Sequence, residues 1–124
     1  MRRILLVIPV ALLLAACVED TRPQGEACEA STVEVALTLS ADGLQPAGPA
    51  VCRDQEVTLV ISSSVDGVIH IHGYDEWVPA TGVTAGEDLE LSFPAERSGQ
   101  FPIELHPADD PQGLELGVFT VHEP

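Results

Sequence analysis

Two imidazoles stand two residues apart in the segment Val68-Ile69-His70-Ile71-His72, which alternates as a β-strand does. A strand rises about 3.3 Å per residue and turns successive side chains to opposite faces. His70 and His72 therefore share a face, about 6–7 Å apart at the backbone. A neutral imidazole is a ligand for Cu or Zn. A third, His106, shares its strand face with Glu104, opposite Phe101, Ile103 and Leu105. The expectation is a copper or zinc site formed by His70, His72 and His106. Asp75 and Glu104 would lie in a supporting layer that orients the rings. Asp75 can equally cap the turn after Gly73. The plainer reading of the three histidines is a set of solvated rings on polar strand faces. His122, near the C-terminus, reads as a solvated tail residue.

Other chemistry finds little support. Ser62, Ser63 and Ser64 carry no nucleophile-elbow glycine pattern, no glycine-rich phosphate loop is present, and no carboxylate pair stands out for acid–base work. The chain reads as a protein without enzymatic activity. Tyr74 and Trp77 either shield a site from water or pack as core aromatics, and packing is favoured for Trp77, the single tryptophan.

The elements that must hold these residues are strands. Val33, Val35, Leu37 and Leu39 alternate with polar neighbours, as do Val57, Leu59 and Ile61, then Leu89, Leu91 and Phe93, then Phe101, Ile103 and Leu105. Ser62 to Gly67 reads as a turn, Gly73 to Gly86 as irregular, and Leu114 to His122 as the closing strand. Pro102 cannot donate to a ladder, which predicts an edge or a bulge beside it. Short strands between Gly/Pro turns indicate an antiparallel sandwich or barrel.

The N-terminus reads as an address. Arg2 and Arg3 precede an apolar run from Ile4 to Leu14, interrupted only by Pro9, and Leu14-Ala15-Ala16-Cys17 follows. That run is shorter than the roughly 20 residues of a spanning helix and has the layout of a secretory signal. The Leu-Ala-Ala-Cys ending resembles a bacterial lipobox, which implies cleavage before Cys17 and a lipid on that residue. The alternative is an ordinary signal peptide that leaves Cys17 free. The division expected is a signal peptide over 1–16, a lipidated tether over 17–30 and one domain over 31–124. Export permits disulfides, and Cys28 and Cys52 then have each other as partner.

After cleavage three arginines, no lysine and twenty acids remain, a formal charge of −17. Such a surface repels nucleic acid and anionic headgroups alike. The membrane is then reached through the lipid alone, from the periplasmic face or the cell surface. The chain is expected to be monomeric, and no protein partner is indicated.

Together the lipobox, the sandwich pattern, His70-Ile71-His72-Gly73-Tyr74-Asp75, the stretch Ser98 to His106 and the strand Leu114 to Val121 resemble bacterial cupredoxin-like domain lipoproteins. The resemblance covers about Thr32 to Val121. It implies an all-β, cupredoxin-like Greek-key β-sandwich and a family role in copper binding and electron transfer. It also implies that the loops after His72 and His106 lie at one end, which would bring the three rings within reach of one ion. A blue-copper site adds a cysteine and a methionine on the late loop. Here Leu105 takes the place of that cysteine, no cysteine follows Cys52, and the single methionine is Met1. The function expected is metal binding at a His-rich end of the sandwich, without blue-copper electron transfer. The alternative is a metal-free envelope module on a degenerate cupredoxin fold. The single His-Ile-His-Gly string also resembles the motifs of multicopper oxidases, which need several of them, so an oxidase is rejected.

Overall fold

Period-two burial organises the chain into nine strands among the described residues of the computed structural model, 26–124. The expected signal peptide, the lipidation at Cys17 and most of the tether fall in residues 1–25, outside the described residues. A four-residue helix, α1 (Glu26–Glu29), comes first. The strands are β1 (Thr32–Ser40), β2 (Gly43–Gln45), β3 (Ala50–Cys52), β4 (Glu56–Ser63), β5 (Gly67–Ile71), β6 (Thr81–Val83), β7 (Asp88–Pro94), β8 (Gly99–Pro107) and β9 (Leu114–His122). They form a four-stranded sheet in the order β2-β1-β4-β7 and a five-stranded sheet in the order β3-β9-β8-β5-β6. The architecture is an all-β sandwich, as the alternation predicts.

The inward residues of both sheets meet in one core. Leu37, Leu39, Val57, Leu59, Ile61 and Phe93 come from the first sheet, and Ile69, Ile71, Ile103, Leu105, Phe119 and Val121 from the second. Tyr74, on the segment after β5, is fully buried. Its ring centroid lies 4.6 Å from that of Phe101 and 5.4 Å from that of Trp77, two partly buried aromatics that pack against the core. Its hydroxyl donates to the Arg97 carbonyl at 2.7 Å and accepts from the Arg97 N–H at 3.0 Å. Burial pushes the Tyr74 phenol above its ordinary pKa. Tyr74→Phe strands both Arg97 groups and is expected to cost about 1–2 kcal/mol in urea unfolding.

Three sequence expectations change, and the one at Pro102 resolves to a bulge. The sandwich is not wholly antiparallel: β1 pairs with β4 and β3 with β9 in parallel. Ser62 and Ser63 extend β4 rather than turn, with Ser62 Oγ donating to Asp88 Oδ1 at 2.6 Å. His122 is the last residue of β9, paired with Cys52, and not a tail residue. The β8 strand is interior, and Pro102 is accommodated by a bulge one step later, between Ile103 and Glu104. Val118, opposite Pro102, donates its N–H to the Ala47 carbonyl at 2.9 Å. A Cβ at Gly117 would overlap that carbonyl, so a glycine is required where the chain crosses from one sheet to the other.

Cys28 and Cys52 form a disulfide, with Cα atoms 5.4 Å apart. Beside it Gln55 is buried and fully used. Its amide donates to the carbonyls of Ala27 and Ala30 at 2.8 and 2.9 Å, and its oxygen accepts from the Cys52 N–H at 2.8 Å. No helix among the described residues is long and apolar enough to cross a membrane.

Candidate metal centre

Cross-strand register assembles the site. β5 and β8 are antiparallel, and His70 lies directly opposite Glu104, with Val68 opposite His106. Ile69, Ile71, Ile103 and Leu105 point into the core, so alternation turns His70, His72, Glu104 and His106 to the outer face of the five-stranded sheet. His72 continues β5 by one step, its N–H donating to the Pro102 carbonyl at 2.9 Å. That places its ring diagonally across from Glu104, within side-chain reach.

The expected location at a loop-bearing end is therefore corrected. Antiparallel pairing puts the loop after His72 and the loop after His106 at opposite ends of the sheet, since Ile71 pairs with Ile103 but Gly67 with Pro107. The rings meet because they are neighbours on the sheet surface.

His70 Nε2 lies 3.3 Å from His106 Nε2, and His106 Nε2 lies 3.0 Å from Glu104 Oε1. The other carboxylate oxygen, Oε2, is 2.5 Å from His72 Nε2. Side-chain exposure is 14% for His70, 24% for Glu104, 40% for His106 and 47% for His72. The cluster is a shallow, half-open patch with Glu104 at its centre.

The hydrogen bond from His72 holds the Glu104 carboxyl below its ordinary pKa, with smaller help from the charges of His72, His106 and His70. A carboxyl so depressed contributes stability above its unfolded pKa and loses it as acid protonates the folded group. Asp75 has its pKa lowered first by the Gly73 N–H, 3.1 Å from its Oδ2, and then by His70. Its Oδ1 stands 3.5 Å from His70 Nδ1, so Asp75 serves both the turn and the ring. A proton on that Nδ1 leaves the His70 Nε2 lone pair facing the cluster, the tautomer a metal ligand needs.

Ligand atoms of His70, Glu104 and His106 all lie within 4.8 Å of one another. Zn–N bonds are about 2.0–2.1 Å, so the edge of a zinc tetrahedron is roughly 3.3–3.4 Å. The two Nε2 atoms already stand at that separation. Two imidazoles and a carboxylate suit Zn(II) or Cu(II). His72 reaches the group through Glu104.

Sequence reasoning missed Gly113. A Cβ there would overlap Glu104 Oε1, so the bare backbone at the end of the 107–113 loop makes room for the carboxylate. The bulge after Ile103 aims Glu104 at that space, as bulges re-aim side chains elsewhere. The chain holds one local signal for this, the Gly113 immediately before the closing strand.

No family model matches the chain. No curated protein matches it either. Among solved structures, an apo copper binding protein determined by NMR superposes with a TM-score of 0.57 at 13% identity, over 75% of this chain and 90% of that one. Auracyanin B gives a TM-score of 0.53 at 15% identity, over 82% and 95%. The metal binding domain of the Cu(I) exporting P-type ATPase of Streptococcus pneumoniae D39 gives 0.52 at 15% identity, over 75% and 88%. The fold is cupredoxin-like. Within this cupredoxin-like sandwich Leu105, which the family resemblance sets in place of a copper-binding cysteine, is 4% exposed and faces the core. Cys28 and Cys52 are joined to each other on a different part of the sheet.

Proposed function

We propose that this cupredoxin-like protein binds one Zn(II) or Cu(II) ion on the outer face of its five-stranded sheet and handles that metal at the cell envelope, anchored by a lipid on Cys17. The observation that carries the reading is His106 Nε2 standing 3.3 Å from His70 Nε2 and 3.0 Å from Glu104 Oε1, with Asp75 behind His70. His70, His106 and Glu104 would hold the ion, and His72 would steady the carboxylate or supply a fourth donor. The similarity to copper-binding structures supports copper. The donor chemistry admits zinc equally. No sulfur stands in the cluster, so a divalent ion is favoured over Cu(I), and blue-copper electron transfer lacks its thiolate.

Titration of the metal-stripped protein tests this. One saturable equivalent is expected, with Cu(II) tighter than Zn(II) as the Irving–Williams order requires. Absence of saturable binding would remove the site. An intense blue charge-transfer band with Cu(II) would reinstate a thiolate centre. A second reading has its own observation: Glu104 already accepts a hydrogen bond from His72 and stands at ion-pair distance from His106, and such a network can serve as structure alone. The same titration separates the two.

Gly113→Ala drives the Glu104 carboxylate out of its place and is expected to weaken Zn(II) binding by about 10-fold or more in a chelator competition assay. Cys17→Ser removes the acylation site. It is expected to abolish incorporation of labelled palmitate, which the unaltered chain should take up.

A further inference from the structure

A cavity of about 730 Å³ opens at the end of the sandwich where the turn between β1 and β2, the turn between β4 and β5 and the 107–113 loop converge. It has no part in the metal reading: its walls come from Val65, Leu105, Leu114 and Leu116, none of which carries a ligand atom for the ion. Leu114 is 48% exposed, one of the two exposed large hydrophobic residues among the described ones. An apolar floor of this size lies within the 300–1,000 Å³ range of small-molecule sites.

Its rim is anionic. Asp42, Asp66, Asp109 and Glu115 surround the floor, and no arginine or histidine lines it. The described arginines are committed elsewhere. Arg53 pairs with Glu123, and Arg97 lies 5.4 Å from the Trp77 ring centroid. Arg97 also precedes β8, whose length of roughly 26 Å separates it from the cavity mouth. Asp66 Oδ1 accepts the Ala85 N–H at 2.9 Å, which fixes that carboxylate at the rim.

We infer that the cavity binds a small organic monocation: a protonated amine joined to an aliphatic body. The apolar part would rest on Leu114, Leu116 and Val65, removing Leu114 from water. The charged head would stay at the mouth, where four exposed carboxylates attract it and salt screens that attraction. A concave, half-open cavity of small-molecule size favours this occupant over a basic protein surface, which calls for a larger and flatter contact.

Octylammonium added to the metal-stripped full chain tests the assignment by amide-shift mapping. Saturable shifts are expected at Val65, Leu114 and Leu116, and none from octanoate at equal concentration. The Asp42→Asn, Asp109→Asn double variant, altered only at exposed positions, is expected to bind about five- to tenfold more weakly while keeping a native spectrum. Leu114→Ser is expected to weaken octylammonium and leave Zn(II) binding unchanged. Equal binding of octanoate overturns the proposal, as does an undiminished affinity in the double variant. So does a failure to saturate, a lysine–leucine peptide that binds where octylammonium does not, or a dimer in sedimentation that covers the cavity.

Discussion

Replacing His70 and His106 together by alanine is expected to weaken Zn(II) and Cu(II) binding by at least about 100-fold. Loss of supporting residues alone lowers metal affinity by about 10–100-fold, and these two are the nitrogen donors themselves. The remaining Glu104 and His72 can make only a loose, solvent-exchanging contact. Because both rings lie on the outer face, the fold should keep its stability to within about 1 kcal/mol. Competition against a fluorescent chelator measures the first quantity and urea unfolding the second. His72→Ala should lose less, about 10-fold, since His72 reaches the group through Glu104. His122→Ala is the control. It sits on β9 beside Cys52, at the far end of the sheet, and should change nothing. Equal affinities for the wild type and the His70/His106 variant would leave the cluster as a hydrogen-bonded patch.

Removing the disulfide is the second large effect. The bond closes a loop across a sequence separation of 24. In the chain-entropy account a loop of that length stabilises by about 3 kcal/mol, acting on the unfolded state. The Cys28→Ser, Cys52→Ser variant should therefore melt about 12–24 °C lower, given a shift of about 4–8 °C per kcal/mol for a domain of this size. Cys52 is fully buried, so the hydroxyl placed there adds a desolvation cost of the same sign. Reduction of the wild type should give a shift of similar size. Hydrogen exchange should show the backbone around Ala27 and Ala30 opening first, because its covalent tie is gone and the Gln55 amide carries more of the attachment. A loss under about 1 kcal/mol would mean the loop is already constrained when unfolded.

Strands with several alternating apolar residues were legible from the sequence. The bounds of β9 and the inward faces of β1, β4, β7 and β8 follow from period two, because burying one face leaves the other polar. The three-residue strands β2, β3 and β6 were not. Each is too short to show a period: β2 turns Leu44 inward and β6 turns Val83 inward. Strand order was also hidden, since alternation fixes which face is buried and says nothing of the neighbour. The parallel β1–β4 and β3–β9 pairs are of that kind.

The candidate site divides along the same line. That His70 and His72 share a face, and that Glu104 and His106 share one, follows from spacing. That His70 stands opposite Glu104 depends on register between strands more than thirty residues apart, which no local pattern encodes. Reasoning from loops instead of register put the rings at an end of the sandwich. Gly113 went unnoticed because a glycine before a strand ordinarily signals a turn, whereas here it also yields space to a carboxylate from the neighbouring strand.

The position of β9 bears on how the molecule is born. The final strand to be synthesised lies between β3 and β8, and it joins them. A nascent chain stalled before Leu114 cannot complete the five-stranded sheet, however long it waits. The β3–β9 and β8–β9 pairings wait for Leu114–His122, and they form at the milliseconds-to-seconds pace of topologies dominated by distant partners. Until then β3 has no partner strand and one edge of β8 stands open, so a single late segment closes the whole layer.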